Sequence, residues 1–268
     1  MNPRLSSVLS AGMPEQLVAR TSKGVEGRAA GLRRIAIVPA LNEERSIAGV
    51  IAEIQAADPE FDVIVIDDGS TDRTSTVAAE SGAHVITLPF NLGIGGAVQT
   101  GYQYARDHGF DLAVQVDGDG QHDPAEIPRL LSPILDGRAD MVVGTRFAAG
   151  GGYRGTRLRR VGIHIFAAIV SLLVRARVTD TTSGFRAVNR KGIRLFAADY
   201  PHDYPEVEAT VLVARHRLKM VEVPVQMRVR ETGHSSITAF RSVYYMIKVL
   251  LALFIGLFRR YSTPLEEQ

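Results

Sequence analysis

Three short acidic clusters have the residue types and spacing to do chemistry. They are Asn42 and Glu43 in VPALNEE, Asp67 and Asp68 in VIDDGSTD, and Asp117 and Asp119 in VDGDGQHDP. An Asp-x-Asp pair with glycine between can place two carboxylate oxygens on one hard cation. Mg²⁺ or Mn²⁺ carrying a diphosphate is the natural occupant, because Mg²⁺ takes one or two carboxylates and fills its shell with phosphate oxygens. Any one cluster reads equally well as a turn, since Asp, Asn and Gly are turn residues; three of them on successive segments carry the metal reading. A basic set follows: Arg146, Arg186, Arg228 and Arg230 in polar loops or at strand ends. Arginine offers a fixed bidentate fork for phosphate. Arg186 beside Ser183 and Gly184, and Arg230 near Gly233 and Ser235, have the look of anion sockets; an ordinary surface arginine is the alternative at each. His122, just after the Asp pair, suits either support of a metal ligand or simple loop placement, and His164 suits packing in an apolar helix.

The elements that must position these residues alternate. Strand patterns at 34–39, 61–67, 84–88, 111–116 and 141–144 alternate with helical periodicity at 43–57, 71–81, 97–108 and 124–135. Five strands alternating with helices predict a mostly parallel α/β sheet with helices on both faces. In such a sheet the carboxyl ends of the strands share one edge, where ligands bind, so the acidic clusters would converge. The loop NLGIGGAVQTG at 91–101 opens a helix with glycines and could offer backbone N–H groups to phosphate. It follows the third strand and matches neither G-x-G-x-x-G nor G-x-x-x-x-G-K-[ST], so a tight turn with close packing explains its glycines well. Beyond 147 a glycine-rich loop precedes an apolar stretch, a polar loop TDTTSGFR, a helix near 206–216 and a strand over 220–229.

Composition narrows the chemistry. The 268 residues contain no cysteine, which excludes disulfides, thiolate metal sites, iron–sulfur clusters and cysteine nucleophiles. The net charge of +2 hides an asymmetry: residues 1–34 carry +4, residues 35–146 carry −12 and residues 147–268 carry +10. An acidic half suited to a cation and a basic half suited to an anion suggest two tasks on one chain. Residues 1–33 read as a flexible basic tail without the apolar core of a secretory signal. Two apolar stretches, 161–174 and 243–258, are bracketed by arginines. As helices they would be roughly 21 and 24 Å long, short of the ~30 Å of a bilayer core. Helices lying in the membrane interface are the expectation; buried core helices are the alternative.

The strings IVPALNEERSI, VIVIDDGSTDRT, NLGIGGAVQTG, VQVDGDGQHDP, VVGTRF, DTTSGFR and RETGHSS, in this order from about Arg34 to about Arg260, resemble the family 2 glycosyltransferases of GT-A fold. The likeness is greatest to the dolichol-phosphate mannose synthase and bacterial polyprenyl-phosphate glycosyltransferase branch. The resemblance implies a GT-A catalytic domain over 34–238, Rossmann-like, with an interfacial helix near 155–177, followed by a C-terminal amphipathic membrane-associated helix and tail over 239–268. It implies metal-dependent, inverting transfer of a sugar from a GDP- or UDP-linked donor to a polyprenyl phosphate at the cytoplasmic face of the cell membrane, with Mg²⁺ or Mn²⁺. On the matched motifs, Pro39, Ala40, Leu41, Asn42, Glu43, Asp67, Asp68, Gly93, Asp117, Gly118 and Asp119 fall on nucleotide-sugar binding. Asp117, Asp119 and Gln121 fall on the metal and diphosphate motif. Arg157, Arg160, Ser183, Arg186, Arg230 and Ser235 fall on the acceptor-phosphate side, and Asp117, Asp119, Arg146 and Arg230 on catalysis. A small membrane-protein partner is a further implication. This chain departs from many members in having Ile94 and Ser236 where they have lysine.

Three other readings compete. A glycosyltransferase acting on a sugar hydroxyl needs a carboxylate base, for which Asp180, Glu206 and Glu208 are candidates. A nucleotidyltransferase would release diphosphate. A nucleic-acid or membrane-binding module using the basic half leaves the acidic clusters unexplained, so no nucleic-acid partner is expected.

Overall fold

The computed structural model describes residues 27–145, 171, 179–180, 183–202 and 204–228. The expected apolar interfacial stretches (apart from Ser171), the C-terminal helix and residues 1–26 lie outside them. Residues 27–33, expected as the end of a loose tail, belong to the folded domain: Ala29 is fully buried and Arg28 is ion-paired with Asp136.

Seven strands form one sheet in the order β3-β2-β1-β4-β6-β5-β7. They are β1 (Arg34–Ala40), β2 (Phe61–Asp67), β3 (His84–Thr87), β4 (Leu112–Gln115), β5 (Met141–Thr145), β6 (Arg186–Asn189) and β7 (Met220–Pro224). Strands β1, β2, β3 and β4 pair in parallel, as do β5 and β7, while β6 runs antiparallel between β4 and β5. The alternation correctly predicts the parallel core. It misses β6, whose four residues RAVN are too few to show a period and follow directly on a polar loop.

Among the described residues six helices cover the sheet: α1 (Ile47–Ala57), α2 (Thr74–Glu80), α3 (Gly93–Asp107), α4 (Ile127–Leu135), α5 (Arg190–Ala198) and α6 (Pro205–Arg215). Successive strand residues point to opposite faces, and both faces are buried. Ala36, Val38, Val63 and Val65 pack with Ile47, Ile51 and Ile54 of α1 and Leu130 of α4. Ile35, Ile37, Ile64 and Ile66 pack with Val98 and Tyr102 of α3 and with residues of α5 and α6. This double burial is why β1 and β2 read as continuous apolar runs rather than alternating ones. Helix α5 is a further element beyond the sequence expectations; Asn189 caps it, its side chain accepting from Lys191 and Gly192 N–H.

The glycine loop at 91–101 proves to be largely helix. Helix α3 starts at Gly93, four residues before the expected start. A Cβ at Gly101 would collide with Ile37 of β1, and one at Gly95 with the Pro201 carbonyl. These two glycines set how close α3 lies to the sheet and to the 200–202 turn, as the packing explanation expects.

Candidate active site

The carboxyl ends of β1, β2 and β4 lie side by side, because β1 pairs with both of the others in parallel. Past the strand ends the backbone stays stitched together. Asp68 N–H donates to Ala40 O at 2.9 Å, and Gly118 N–H donates to Pro39 O at 3.2 Å. Position 118 must be small, since a Cβ there would lie 3.1 Å from Pro39 O and 3.2 Å from Ala40 Cβ. The result is a cleft of about 400 Å³ lined by Pro39, Ala40, Leu41, Glu43, Asp68, Asn91, Gly93, Ile94, Ala97, Asp117, Gly118 and Asp119. Three acidic clusters far apart in sequence thus meet at one edge, as the topology requires.

Four carboxylates line this cleft, and no Lys or Arg does so among the described residues. Carboxylates gathered this closely repel one another, and a diphosphate placed among them would add to the repulsion. The donor set therefore fits a divalent cation. No group of three or more His, Asp or Glu side chains among the described residues is arranged to hold a metal alone. Two aspartates with the remaining positions left to phosphate oxygens and water is the pattern Mg²⁺ accepts.

Several expected binding residues hold the local backbone. Asp67 is buried, and its carboxylate accepts Ser70 N–H at 3.0 Å. Asn42, at φ 56°, takes Thr71 N–H on Oδ1 at 2.9 Å. Neither lines the cleft, and neither does Gln121, whose backbone N–H donates to Asp119 Oδ1 at 3.0 Å and whose carbonyl accepts Arg228 N–H at 2.9 Å. Glu43 does line it, with Ser46 Oγ 2.9 Å from Glu43 Oε2 and 2.8 Å from Gly118 O. Asn91, Ile94 and Ala97 are lining residues that the individual assignments omit. The glycine-rich string around them was the available signal.

Asp117 is held from several directions. Its backbone N–H donates to His122 Nδ1 at 3.0 Å, and His122 Nε2 lies 3.6 Å from Asp117 Oδ2. Gln115 Nε2 donates to Asp117 Oδ1 at 3.4 Å and Tyr200 Oη donates to Gln115 Oε1 at 3.4 Å. A Cβ on Gly184 would come within 3.2 Å of the Asp117 carboxylate.

The described arginines differ from open anion sockets. Arg186, on β6 opposite Gln115, is 1% exposed. Its Nε donates to Ser183 O at 2.9 Å, one Nη donates to Glu206 O, and the other Nη and Ser183 Oγ have no partner among the described residues. The antiparallel placement of β6 puts this residue inside the domain, so the alternative of an ordinary surface arginine does not hold for it. Arg228 is consumed in ion pairs, 2.7 Å from Glu53 and 3.0 Å from Asp123. Arg146, Arg157, Arg160, Arg230 and Ser235 lie outside the described residues. Burial pushes the Glu206 carboxyl above its ordinary pKa; Arg186 nearby opposes this and Asp117 adds to it.

Known proteins share this architecture. The model of the family described as glycosyl transferase family 2 matches residues 35–196. The chain is a family 2 glycosyltransferase. The matched span runs from β1 through α5 and includes every residue lining the cleft. This glycosyltransferase is 32% identical over 216 residues to an undecaprenyl-phosphate mannosyltransferase of Micrococcus luteus, covering 77% of this chain and 88% of that protein. It is 30% identical to a polyprenol monophosphomannose synthase of Mycolicibacterium smegmatis, covering 81% and 85% of the two chains. Among solved structures, glucosyl-3-phosphoglycerate synthase of Mycobacterium tuberculosis, in complex with Mn²⁺, uridine diphosphate and glucosyl-3-phosphoglycerate, matches with a TM-score of 0.68 and 25% identity. That match covers 90% of this chain and 85% of that one, and it places the sheet and helices of this glycosyltransferase in the GT-A class.

Proposed function

We propose that this glycosyltransferase moves a sugar, with inversion, from a nucleoside diphosphate donor to a polyprenyl phosphate at the cytoplasmic face of a membrane. The observation that carries the reading is the cleft itself: four carboxylates at the strand ends, two of them from the Asp117–Gly118–Asp119 turn. Polyprenyl-phosphate transfer by the Micrococcus and Mycolicibacterium relatives supports the acceptor class.

Asp117 and Asp119 would hold Mg²⁺ or Mn²⁺, which when bound supplies charge stabilisation to the departing nucleoside diphosphate. The walls do the rest of the donor work. Glu43 and Asp68 offer acceptors to hydroxyl groups of the nucleoside, Leu41 and Ile94 present apolar surface at the mouth, and Gly93 and Gly118 allow close approach. A lipid phosphate is anionic at neutral pH and attacks without a strong base; what it needs is orientation and charge compensation. That role is assigned to the basic second half, with Arg146 and Arg230 as its catalytic candidates and Arg157, Arg160, Ser183, Arg186 and Ser235 as its acceptor-phosphate candidates. Arg186 would act from beneath, through the loop it ties down. Among the described residues no helix is long and apolar enough to cross a membrane; attachment through the arginine-bracketed stretches, with or without a small membrane-protein partner, completes the proposal.

The test is a panel of radiolabelled GDP- and UDP-sugars incubated with polyprenyl phosphate, with and without Mn²⁺ or Mg²⁺, followed by organic extraction. Metal-dependent label in the organic phase from one donor is expected. Release of nucleoside diphosphate with no label in that phase would overturn the lipid-phosphate acceptor. One observation favours a second reading, transfer to a sugar hydroxyl: Glu206, within electrostatic reach of Asp117, has the raised pKa of a general base. Glu206→Gln separates the two, since lipid-phosphate transfer should survive it and hydroxyl transfer should not.

A further inference from the structure

His122 is absent from the cleft lining and only 4% exposed. Its ring stacks on Phe185, with centroids 4.8 Å apart and planes 12° from parallel. Phe185 is itself fully buried, in the loop that brings Gly184 against the Asp117 carboxylate. The backbone of His122 forms an antiparallel bridge with Met227. The ring is therefore fixed on one face by packing and along its backbone by pairing.

Such a ring still has to satisfy two nitrogens. Nδ1 accepts the Asp117 N–H at 3.0 Å, so in the neutral imidazole the proton sits on Nε2. Nε2 itself stands 3.6 Å from Asp117 Oδ2. One side chain thus holds the Asp117 backbone amide by a hydrogen bond and packs beside one carboxylate oxygen. Gln115 and Gly184 approach the same carboxylate from other directions.

We propose that His122 is a positioning residue: it sets the direction in which Asp117 presents its carboxylate to the cleft, and with it the affinity of the cleft for a metal–nucleotide. This rests on the reading that Asp117 holds the cation. Groups that orient a metal ligand typically contribute about 10–100-fold to metal affinity.

The test uses the full-length chain with Mn²⁺ and either GDP or UDP, reading the electron paramagnetic resonance signal of free Mn²⁺ during titration. His122→Phe keeps the stack on Phe185 and loses both nitrogens; Mn²⁺ affinity should fall about 10–100-fold in a protein that is less stable but still folded. His122→Asn carries an acceptor where Nδ1 lies and should recover part of the loss. Mn²⁺ affinity of a folded His122→Phe protein within about twofold of wild type, far from the expected loss, would overturn the proposal. If the Phe variant does not fold, wild-type-like affinity in His122→Leu or an Asn variant weaker than its Leu counterpart overturns it equally. Asp117→Asn is the control. Should it lose Mn²⁺ while His122→Phe keeps it, only the positioning role fails. Should it keep Mn²⁺, the metal assignment itself fails.

Discussion

In front of Asp117, the ends of β1, β2 and β4 leave Glu43, Asp68, Asp117 and Asp119 lining one open cleft. Behind it, β6 and α6 enclose Arg186 between the carbonyl oxygens of Ser183 and Glu206, near Tyr102 and Tyr200. The front gathers negative charge along a cleft, with Asp68 itself buried and accepting Leu92 N–H at 2.7 Å; the back buries a positive charge and satisfies much of it with backbone oxygens. A buried ion is tolerable only when hydrogen-bonded, and this one has spent two of its donor groups on fixed carbonyls. In the proposed function the cleft carboxylates receive an exchangeable cation, and charged side chains on the two sides of Asp117 thus face different partners.

The comparison breaks first at the front. Asp119→Asn should reduce sugar transfer by more than the ~10–100-fold typical of a group that merely orients a ligand, and should leave the melting temperature nearly unchanged. Turnover measured across a Mn²⁺ titration checks this; wild-type turnover at every concentration would remove Asp119 from the metal site. At the back the dominant effect moves to stability. Arg186→Met removes the donor to Ser183 O, at roughly 1–3 kcal/mol for a buried group, whereas Glu206 O keeps Thr210 Oγ1 at 3.1 Å. Denaturant unfolding should show the loss, with Arg186→Lys intermediate. An unchanged unfolding midpoint would show that Arg186 is not the tie between the 183–186 loop and α6.

The smallest expected effect concerns Glu206. Burial raises its folded pKa above the ordinary 4.5, so the folded protein holds this proton after the unfolded chain has released it. Stability then falls as pH rises from the unfolded pKa through the folded one. Glu206→Gln should match wild type in acid and melt at a higher temperature above that window. Melting curves across pH check the sign; a variant that loses stability as pH rises, relative to wild type, would contradict it.

The front of the site was legible in the sequence and the back was not. Alternating segments located β1, β2 and β4, and parallel pairing brought Glu43, Asp68, Asp117 and Asp119 to one edge. The same reasoning could not separate Asp68, which lines the cleft, from Asp67, whose carboxylate holds the following turn; neighbouring residues of one type differ only in which way they point. Arg186 and Arg228 looked like phosphate ligands because arginine serves both purposes. Only the antiparallel insertion of β6, and the contact of Arg228 with Glu53 on a distant helix, reveal their partners. His122 was undecided for a related reason: its packing partner, Phe185, lies 63 residues away in sequence.

The central claim is that the acidic cleft accepts a nucleoside diphosphate only together with a divalent cation. Calorimetric titration of GDP and UDP into the full-length protein, with Mn²⁺ and then with excess EDTA, tests it most directly. Binding of one nucleotide with Mn²⁺, and its loss in EDTA, is the predicted result. Equal affinity in both conditions would contradict the account, because the four carboxylates would then be receiving the diphosphate unaided.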